Sequence, residues 1–512
     1  MMVPQPDVFE ARPGRFELSP RTAVIHAEGA AVPAAELLAD HLATALGTVP
    51  EIGAGGGSIR LYVNGVEHAP GNPEAYRLTV SDTGIDLVGR TPAGLLCAVQ
   101  ALRQLLPPEA LGPEAFRTRS VWPLPHTRVE DAPALRWRGL LLDVARHFMP
   151  VSTVLRVLDA MALHRLNVLQ LHLTDDQGWR LEVPDRPRLT QVGGRRPAVP
   201  FDPDDPDDRG TGPAHQGWYT ARDIRQIVAF AARRGITVVP EIDVPGHVQA
   251  ALAAYPELGN RPAERLPVWP RWGINSRTLN AEQATVEFFA GVLEYTAELF
   301  PSRVVHLGGD ECSAEEWRTS PAALERVAAL GLAGPEQVHG WLLARLAERV
   351  AGLGRRPAGW EEIAEGPVPA ETVVMCWHGE KAAEQAADRG FDVVLTPWQH
   401  TYFDLHQAAE GEPRGQKGVL TLADAYAFTP LEGRFAKDLR HRLLGAQCQL
   451  WTEYVPTPEH LEYMAFPRVC AFAERAWGSP ADYPAFLARL PEHLRRLDAL
   501  GLRYRRPEEL TA

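Results

Sequence analysis

Two adjacent carboxylates, Asp310 and Glu311, end the sequence Val-Val-His-Leu-Gly-Gly-Asp-Glu that begins at residue 304. The apolar residues have the character of a buried strand, and Gly308 and Gly309 let a ligand approach the backbone because they have no Cβ. Neighbouring acids perturb each other, so one carboxyl can act as an acid while the other stays an anion. This octet predicts an acid–base site at a strand end, and a solvated acid pair in a loop is the less favoured interpretation.

Eight apolar runs in the second part of the chain alternate mostly with helical patterns, which is typical of an α/β fold of the (β/α)8 TIM-barrel type. The predicted strands are residues 139–144, 167–173, 237–242, 304–307, 357–360, 372–376, 393–396 and 444–450. Barrels of this type carry their active site at the C-terminal ends of the strands. Polar and aromatic residues cluster just after these runs, at Arg146, His147, Asp175, Asp176, Trp179, Asp243, His247, Asp310, Glu311, Trp360, Glu361, Glu362, Trp377, His378, Trp398, Tyr402, Asp404, Trp451 and Glu453.

Four tryptophans, Trp360, Trp377, Trp398 and Trp451, follow predicted strands beside carboxylates and an arginine. Aromatic rings stack on the apolar faces of sugars, and charged groups hydrogen-bond to sugar hydroxyls. A single tryptophan more often serves packing. Four of them in these positions favour a carbohydrate-binding site.

The adjacency of Asp310 and Glu311 fits a conventional glycosidase badly, because such an enzyme places two carboxylates about 5 to 9 Å apart across the bond. Successive side chains at a strand end diverge. One acid can then address the leaving oxygen while the other lies near the C2 substituent of the sugar. That division suits an enzyme that uses the 2-acetamido oxygen of its own substrate as the nucleophile.

The first part of the chain mixes strands and helices without the regularity of a barrel. We predict strands at residues 22–26, 59–63, 76–80 and 85–88 and helices at residues 33–46 and 92–106. Pro123, Pro125 and Pro133 crowd one short stretch, which predicts a linker and a domain boundary near residue 133. The expected organisation is a smaller α+β accessory domain over residues 1–133 and a catalytic barrel with a C-terminal helical tail over residues 134–512.

The net charge of −13 makes nucleic acid and anionic membranes poor candidates as partners. The chain has no run of 18 apolar residues and does not start with a basic segment followed by an apolar one. We therefore expect a cytoplasmic protein, or a secreted one if a leader has been removed, and leave the oligomeric state open. The acidic stretch at residues 202–208 predicts a solvated loop, with a position at the site entrance as the alternative.

Over nearly its whole length the chain resembles the β-N-acetylhexosaminidases of glycoside hydrolase family 20. The resemblance is carried by motifs whose order and spacing are jointly specific, namely Asp143-Val-Ala-Arg-His-Phe, Leu171-His-Leu-Thr-Asp-Asp-Gln-Gly-Trp-Arg, Val239-Pro-Glu-Ile-Asp-Val-Pro-Gly-His, His306-Leu-Gly-Gly-Asp-Glu, Trp360-Glu-Glu, Tyr402-Phe-Asp and Leu450-Trp-Thr-Glu. It implies an exo-acting hydrolase that removes terminal non-reducing N-acetyl-β-D-hexosamine, GlcNAc or GalNAc, from oligosaccharides or glycoconjugates. It also implies retention through an oxazolinium-like intermediate, with no cofactor and no metal.

The resemblance further implies a role for each site residue. Glu311 is expected to protonate the glycosidic oxygen and later to serve as the base for water, and Asp310 to orient the acetamido nitrogen and stabilise the positive intermediate. The other members are expected to hold the sugar or the acid: Tyr402 on the acetamido oxygen, Trp360 and Trp377 around its methyl group, Trp451 under the ring, Arg146, Asp404 and Glu453 on ring hydroxyls, and Asp175 and His247 in a charge network near Glu311.

One departure from the family concerns the acetamide pocket. Some members carry a further pocket tryptophan shortly after the Tyr-x-Asp motif, and here no tryptophan occurs between Asp404 and Trp451. The pocket is therefore expected to be closed differently, by Trp398 or by Tyr426.

Two other functions stay open on the sequence alone. A metal-dependent barrel hydrolase could draw ligands from Asp175, Asp243, His247, His306 and Asp310, although no His-x-His pair is found where such a site would need one. A non-catalytic carbohydrate-binding protein would need the aromatic pocket but leaves the two adjacent acids unexplained. Inactivation by a chelator would favour the first function, and absence of turnover would favour the second.

Overall fold

The computed structural model describes residues 2–53, 56–196 and 214–510. The acidic stretch at residues 202–208, predicted as a loop, lies outside the described residues. Among the helices that are described, none is both long enough and apolar enough to cross a membrane.

The first region is a seven-stranded mixed sheet with two helices packed against it. Its elements are strands β1 Val8–Leu18, β2 Ile25–Ala27, β3 Ile52–Gly53, β4 Ile59–Val63, β5 Tyr76–Ser81, β6 Gly84–Gly89 and β7 Trp122–Asp131, and helices α1 Val32–Leu46 and α2 Pro92–Leu105. The strand order is β1-β7-β5-β6-β4-β2-β3. Along β5 the alternate residues Tyr76, Leu78 and Val80 are buried, as expected for a strand with one covered face. Helix α1 ends at Gly47, whose left-handed φ of 70° suits glycine.

The proline-rich stretch is a strand, so the prediction of a linker there is wrong. β7 runs through Pro123 and Pro125 and pairs with β1 on one side. On its other side β5 pairs only with residues 127–131. The two prolines therefore lie where β7 has a single neighbouring strand. On the unpaired side, the N–H that proline lacks is not needed for a hydrogen bond between strands. The sequence does not predict β1 either, since most of its residues are exposed.

The second region contains the predicted parallel barrel. Its strands are β8 Trp137–Asp143, β9 Val168–His172, β10 Thr174–Asp175, β11 Gly178–Trp179, β12 Arg195–Arg196, β13 His215–Gln216, β14 Thr237–Glu241, β15 Val304–His306, β16 Arg356–Trp360, β17 Val373–Cys376, β18 Asp392–Leu395, β19 Leu405–His406, β20 Gln416–Val419 and β21 Leu443–Leu450. The closed barrel consists of β8, β9, β14 to β18 and β21. Each barrel strand begins and ends within two residues of its prediction, which confirms the TIM-barrel fold.

Helices follow most barrel strands and also form a C-terminal tail. They are α3 Val151–Leu163, α4 Arg188–Gln191, α5 Ala221–Ala232, α6 Gln249–Ala254, α7 Gln283–Leu299, α8 Glu315–Thr319, α9 Pro321–Ala329, α10 Gln337–Gly352, α11 Glu380–Asp388, α12 Trp398–Thr401, α13 Leu422–Tyr426, α14 Gly433–Lys437, α15 Pro458–Ala465, α16 Arg468–Trp477 and α17 Tyr483–Ala499. Between β16 and β17, a stretch that is described in full, a short 3₁₀ helix at Glu361–Glu365 takes the place of an α-helix.

The register of the barrel brings four polar residues to one level near the C-terminal ends of adjacent strands. Asp143 pairs with His172, His172 with Glu241, and Glu241 with His306. All four are buried. Residues of these and other barrel strands fill the barrel interior with an apolar cluster, which includes Trp137, Leu141, Val168, Val239, Val304, Ala358, Val373, Met375 and Val394. The apolar filling supports a polar layer that faces the predicted site.

A buried ion pair joins the first region to the barrel and the tail. Asp131, at the end of β7, accepts hydrogen bonds from Arg165 at 2.8 Å, from the Tyr76 hydroxyl at 3.1 Å and from the Trp477 indole at 3.0 Å. The Trp477 ring also contacts two cations, with its centroid 4.5 Å from the guanidinium of Arg165 and 4.9 Å from that of Arg138. Sheet, barrel and tail therefore share one buried cluster.

We predict that Asp131→Ala destabilises the protein by about 3–5 kcal/mol, because it leaves the buried Arg165 without its counter-charge. The midpoint of urea unfolding measures the loss. The matched control is Glu10→Ala, which breaks an ion pair with Arg12 whose side chains are about half exposed, and we expect it to cost no more than about 1 kcal/mol. Equal shifts for the two variants would contradict the importance of the buried pair.

Candidate active site

A cavity of about 520 Å³ opens at the C-terminal ends of the barrel strands, where the sequence predicts the site. Its volume suits a ligand of small-molecule size. The lining combines acids, aromatic rings and cations and consists of Arg146, Gln177, Trp272, Gly273, Ile274, Asp310, Glu311, Trp360, Trp377, Trp398, Tyr402, Asp404, Leu405, Gln416, Lys417, Trp451, Glu453 and Tyr454.

Aromatic side chains form the inner walls of the cavity. Trp360, at the end of β16, is 1% exposed, and its indole N–H donates a hydrogen bond to Glu241 Oε1 at 3.1 Å. The Trp451 ring lies 5.9 Å from the Trp360 ring and 6.2 Å from that of Tyr402, centroid to centroid. Trp377, which follows β17, is half-buried and is the fourth of these aromatic lining residues. Because these rings are tilted against one another, they leave a concave apolar surface that matches a sugar face.

Arg146 lies at the base of the cavity and is held from several sides. Its guanidinium is 2.8 Å from Asp175, 3.2 Å from Asp143 and 3.7 Å from Glu453. It also lies 5.2 Å from the centroid of the Trp451 ring. Burial opposes its charge, but the neighbouring carboxylates raise the pKa of Arg146 above its ordinary value. The planar guanidinium of Arg146 is therefore fixed in one orientation, as the recognition of two adjacent hydroxyls requires.

A chain of alternating charges runs from Arg146 into the barrel. Asp175 Oδ2 lies 2.9 Å from His172 Nε2, and His172 Nδ1 lies 2.9 Å from Glu241 Oε2. Although burial opposes it, the charges of Glu241 and Asp175 raise the pKa of His172, so the ring is a cation between two anions. We call Glu241, His172, Asp175 and Arg146 the buried charge chain. The sequence leaves Glu241 and His172 without a role, although each is the last inward-facing residue of its strand.

His247 connects the buried charge chain to the two adjacent acids. Its Nδ1 lies 3.3 Å from Asp175 Oδ1, and its Nε2 lies 3.6 Å from Glu311 and 3.8 Å from Asp310. Burial alone would lower the pKa of His247, but Asp175 raises it well above the ordinary value. The residue has a φ of 51°, a conformation that costs energy and is common at functional sites. His247 is thus a fixed cation behind the acid pair.

Asp310 and Glu311 follow β15 and both face the cavity. Their side chains are 17% and 34% exposed, so Glu311 is the more accessible. Burial raises the pKa of Glu311, the cation of His247 opposes this shift, and the charge of Asp310 adds to it. Oδ1 of Asp310 and Oδ1 of Asp404 are buried and have no hydrogen-bond partner within the described residues. Both oxygens are suited to accept a hydrogen bond from a polar ligand.

A turn through Gly308 sets the direction of the acid pair. Gly308 has a φ of 67°, and a Cβ at this position would lie 1.8 Å from Asp243 Oδ1. That same oxygen accepts a hydrogen bond from the Gly309 N–H at 3.2 Å. Only glycine allows the strand to end this close to Asp243.

The structure brings most of the predicted site residues together. Nine of the eleven line the cavity, namely Arg146, Asp310, Glu311, Trp360, Trp377, Tyr402, Asp404, Trp451 and Glu453. Asp175 and His247 are not among the lining residues but contact two of them, Arg146 and Glu311 respectively. Trp398 lines the cavity. The prediction that Tyr426 closes it is wrong, since Tyr426 is buried against Tyr483 and Phe486.

Several lining residues escape prediction from the sequence. Trp272 and Ile274 belong to the long connection between α6 and α7, Gln416 and Lys417 begin the short strand β20, and Tyr454 belongs to the loop that follows β21. None of them directly follows an apolar run, which is the signal that identifies the other residues. Gln177 lies inside the Asp-Asp-Gln-Gly-Trp motif, but nothing in its position identifies it as a site residue. In the structure its side-chain oxygen accepts a hydrogen bond of 3.1 Å from Arg146.

Carboxylate and histidine atoms of the site lie close enough for metal binding in principle. Asp175, Asp176 and His247 form one group within 4.8 Å, and Asp243, His247 and Asp310 form another. The chain already supplies cations to these acids, because Arg146 and His172 contact Asp175 directly. Asp175 is therefore already paired with cations of the chain itself.

Family models match both regions of the chain. The model described as "Glycosyl hydrolase family 20, catalytic domain" matches residues 135–480, and the model described as "Glycosyl hydrolase family 20, domain 2" matches residues 1–132. The chain belongs to glycoside hydrolase family 20. The whole cavity lining falls inside the match to the family's catalytic domain.

Named relatives agree with this membership. The chain is 35% identical to a beta-hexosaminidase of Porphyromonas gingivalis, over 99% of this chain and 64% of the relative, and 33% identical to a beta-N-acetylhexosaminidase of Cellulomonas fimi, over 98% and 95%. The crystal structure of an exo beta-N-acetylglucosaminidase from Vibrio harveyi in complex with N-acetylglucosamine has a TM-score of 0.87 at 34% identity, and the match covers 99% of this chain and 78% of that one. The chain spans 64% of the length of the Porphyromonas gingivalis relative and of a Vibrio furnissii relative.

We predict that Gly308→Ala lowers turnover of an aryl N-acetyl-β-hexosaminide by about 100-fold or more, because displacing Asp243 or the turn misplaces the acid pair. The control is Gly331→Ala, since Gly331 has nearly the same φ of 68° but open space around it. It should lose about 1–2 kcal/mol of stability and keep its turnover. Turnover and thermal unfolding of both variants test this, and equal effects on turnover would refute the packing argument.

Proposed function

We propose that the chain is an exo-acting β-N-acetylhexosaminidase that hydrolyses terminal, non-reducing GlcNAc or GalNAc with retention, using the 2-acetamido oxygen of the substrate as the nucleophile. The observation that carries this proposal is the pair Asp310 and Glu311 in the lining of an aromatic pocket, where burial raises the pKa of Glu311. Relatives named beta-hexosaminidase and the N-acetylglucosamine complex of the Vibrio harveyi enzyme support it.

The shape of the cavity supports exo action. Four of its lining residues, Arg146, Trp360, Asp404 and Trp451, are buried, and we take them as its closed inner end. A chain of sugars cannot pass through such an end. Only a terminal residue can occupy it, with the remainder of the substrate extending through the opening.

In the first chemical step, Glu311 gives its proton to the glycosidic oxygen as the bond from that oxygen to the anomeric carbon breaks. The acetamido oxygen forms a bond to the same carbon, which gives a positively charged oxazolinium-like ring. Asp310 accepts a hydrogen bond from the acetamido N–H and stabilises the developing charge, and Tyr402 donates one to the acetamido oxygen. The raised pKa of Glu311 keeps its proton available to a higher pH than for an exposed glutamate.

In the second step, water attacks the anomeric carbon from the face that the aglycone has left. Glu311, now ionised, takes a proton from this water as the new bond forms. The bond between the anomeric carbon and the acetamido oxygen breaks, its electron pair restores the neutral acetamido group, and the sugar leaves with its original configuration. The cation of His247, 3.6 Å from Glu311, stabilises the ionised carboxylate between the two steps. The enzyme thereby returns to its starting protonation state.

The remaining carboxyls of the lining are poorly suited to act as an enzymic nucleophile. Burial and the charge of Glu453 raise the pKa of Asp404 to about 8, and burial raises that of Glu453 although Arg146 opposes it. A protonated carboxyl is a weak nucleophile. These groups are better placed to hydrogen-bond ring hydroxyls beside Arg146.

Two alternatives are separated from this proposal by simple experiments. A metal-dependent hydrolase would be inactivated by a chelator and restored by zinc or manganese, whereas the proposed mechanism predicts no effect. A non-catalytic sugar-binding protein would give no product from an aryl N-acetyl-β-glucosaminide even at high protein concentration.

We predict that Glu311→Gln lowers turnover of substrates with poor leaving groups by about 100-fold or more, because the amide keeps the shape but has no transferable proton. Activated aryl substrates need little protonation and should lose much less. Rates for a series of aryl N-acetyl-β-glucosaminides with leaving groups of different acidity measure the contrast. Equal losses across the series would contradict the assignment of Glu311 as the acid.

We also predict that the 2-substituent of the substrate is indispensable. An aryl β-glucoside, with a 2-hydroxyl, should be turned over negligibly, and a thiazoline analogue of the cyclised intermediate should inhibit strongly. Asp310→Asn should lose rate chiefly in the chemical step, which single-turnover measurements isolate. Mass spectrometry after treatment with a 2-fluoroglycosyl reagent provides the decisive check, since a covalent adduct on Glu453 or Asp404 would establish an enzymic nucleophile instead.

A further inference from the structure

Gln177 is a buried polar residue of the cavity lining that the proposed mechanism leaves without a role. It is 2% exposed and lies in the two-residue turn of the hairpin that β10 and β11 form. Its side-chain oxygen accepts a hydrogen bond of 3.1 Å from Arg146 Nε, and its side-chain nitrogen donates one of 2.9 Å to the backbone carbonyl of Arg271. Because an arginine nitrogen only donates and a carbonyl oxygen only accepts, the two contacts together fix the orientation of the amide.

The contact with Gln177 limits how the guanidinium of Arg146 can turn. Its Nη2 lies 2.8 Å from Asp175 and its Nη1 lies 3.2 Å from Asp143, while Nε contacts the amide of Gln177. Nε and Nη2 together form the edge that a carboxylate binds with two parallel hydrogen bonds. Because Gln177 occupies Nε, Asp175 contacts Nη2 alone, and the guanidinium plane is kept from turning toward Asp175.

The second partner of Gln177 belongs to a wall of the same cavity. The carbonyl of Arg271 lies in the connection between α6 and α7, and this connection carries Trp272, a buried residue of the cavity lining. The hairpin turn holds the connection at another point as well, because the N–H of Trp269 donates a hydrogen bond of 3.0 Å to the carbonyl of Asp176. The turn at Asp176 and Gln177 therefore fixes this wall and the guanidinium of Arg146 together.

The chemistry of the substrate indicates which hydroxyls Arg146 suits. A terminal 2-acetamido sugar that is linked through its anomeric carbon has free hydroxyls at C3, C4 and C6. Those at C3 and C4 are the adjacent pair on the ring, and the guanidinium presents its N–H groups in a rigid planar arrangement that matches such a pair. A turn of the guanidinium plane would weaken contacts with the 3- and 4-hydroxyls and spare the 6-hydroxyl.

We propose that Gln177 is a positioning residue that orients Arg146 toward the 3- and 4-hydroxyls of the terminal sugar and anchors the wall of Trp272 beside it. This inference rests on the proposed function, in which Arg146 contributes to binding ring hydroxyls. Gln177 acts on the substrate through Arg146, so its removal should affect substrates according to the hydroxyls that they carry. A residue that served only the stability of the fold would affect all substrates alike.

The test compares Gln177→Met, which keeps the length of the side chain without the amide, with the wild type on four substrates. These are 4-nitrophenyl N-acetyl-β-glucosaminide and its 3-deoxy, 4-deoxy and 6-deoxy analogues. We expect Gln177→Met to lose about three- to tenfold in kcat/KM on the parent and the 6-deoxy compound, as for a lost hydrogen bond. The loss should be smaller on the 3-deoxy and 4-deoxy compounds, because they already lack a contact that Gln177 supports.

A second variant separates the two contacts of Gln177. Gln177→Glu keeps an oxygen that accepts from Arg146 Nε but has no N–H for the carbonyl of Arg271. It should therefore keep the response of the wild type to the 3-deoxy and 4-deoxy compounds. Hydrogen exchange of residues 266–275, followed by mass spectrometry, should be faster than in the wild type for both variants. Unchanged exchange in Gln177→Met would show that Gln177 does not anchor the connection.

Gln104→Met is the matched control, because Gln104 is 1% exposed, accepts a hydrogen bond of 2.9 Å from the Val3 N–H and donates one of 2.7 Å to the Leu163 carbonyl, outside the cavity lining. It should lower the midpoint of thermal unfolding and leave the ratios among the four substrates and the exchange of residues 266–275 unchanged. Equal losses by Gln177→Met on all four substrates, or no loss on any, overturn the inference. If the wild type hydrolyses none of them, the proposed function fails, and this inference fails with it.

Discussion

The active site depends on the buried charge chain of Glu241, His172, Asp175 and Arg146, whose successive contacts are 2.9, 2.9 and 2.8 Å. In the low-dielectric interior each charge needs the next one, since a single unpaired member would cost about 3–5 kcal/mol. Two branches extend from the chain, to Trp360 through Glu241 and to His247 through Asp175. The aromatic wall at Trp360 and the acid pair of Asp310 and Glu311 are thus both oriented by the buried charge chain.

The barrel supports this unit at a cost in backbone strain. His247 and Glu311 have φ values of 51° and 49°, in a region that residues with a Cβ rarely adopt. Such conformations cost about 1–3 kcal/mol each and persist only when the surroundings determine them. Here the surroundings are the buried Asp175, which contacts His247, and the turn through Gly308, which precedes Glu311. Strain is therefore located at the two residues whose side chains meet at the acid.

The parts of the molecule that can be predicted from the sequence are those with local signals. Barrel strands are buried on both sides, so they appear as apolar runs, and the residues after them identify most of the site. Strand β1 has no such signal because most of its residues are exposed. Strand β7 contains prolines, which argue against a strand in the sequence but are tolerated where β7 pairs with only one neighbouring strand. Trp272 reaches the cavity from the long connection between α6 and α7 and Lys417 from the short strand β20, and neither residue directly follows an apolar run.

The same difference in origin separates the buried lining of the cavity from its exposed lining. Residues at the inner end are bound to the buried charge chain, so changing one of them disturbs its neighbours, as with Arg146 and its three carboxylates. The exposed lining residues Gln416 and Trp398 are positioned by their backbones, whose N–H groups donate to the carbonyls of Asp404 and Trp377. Their side chains can therefore change without leaving a buried charge unpaired. Substitution at the opening of the cavity should cost little stability, whereas substitution at the inner end disturbs the charges that orient the acid pair.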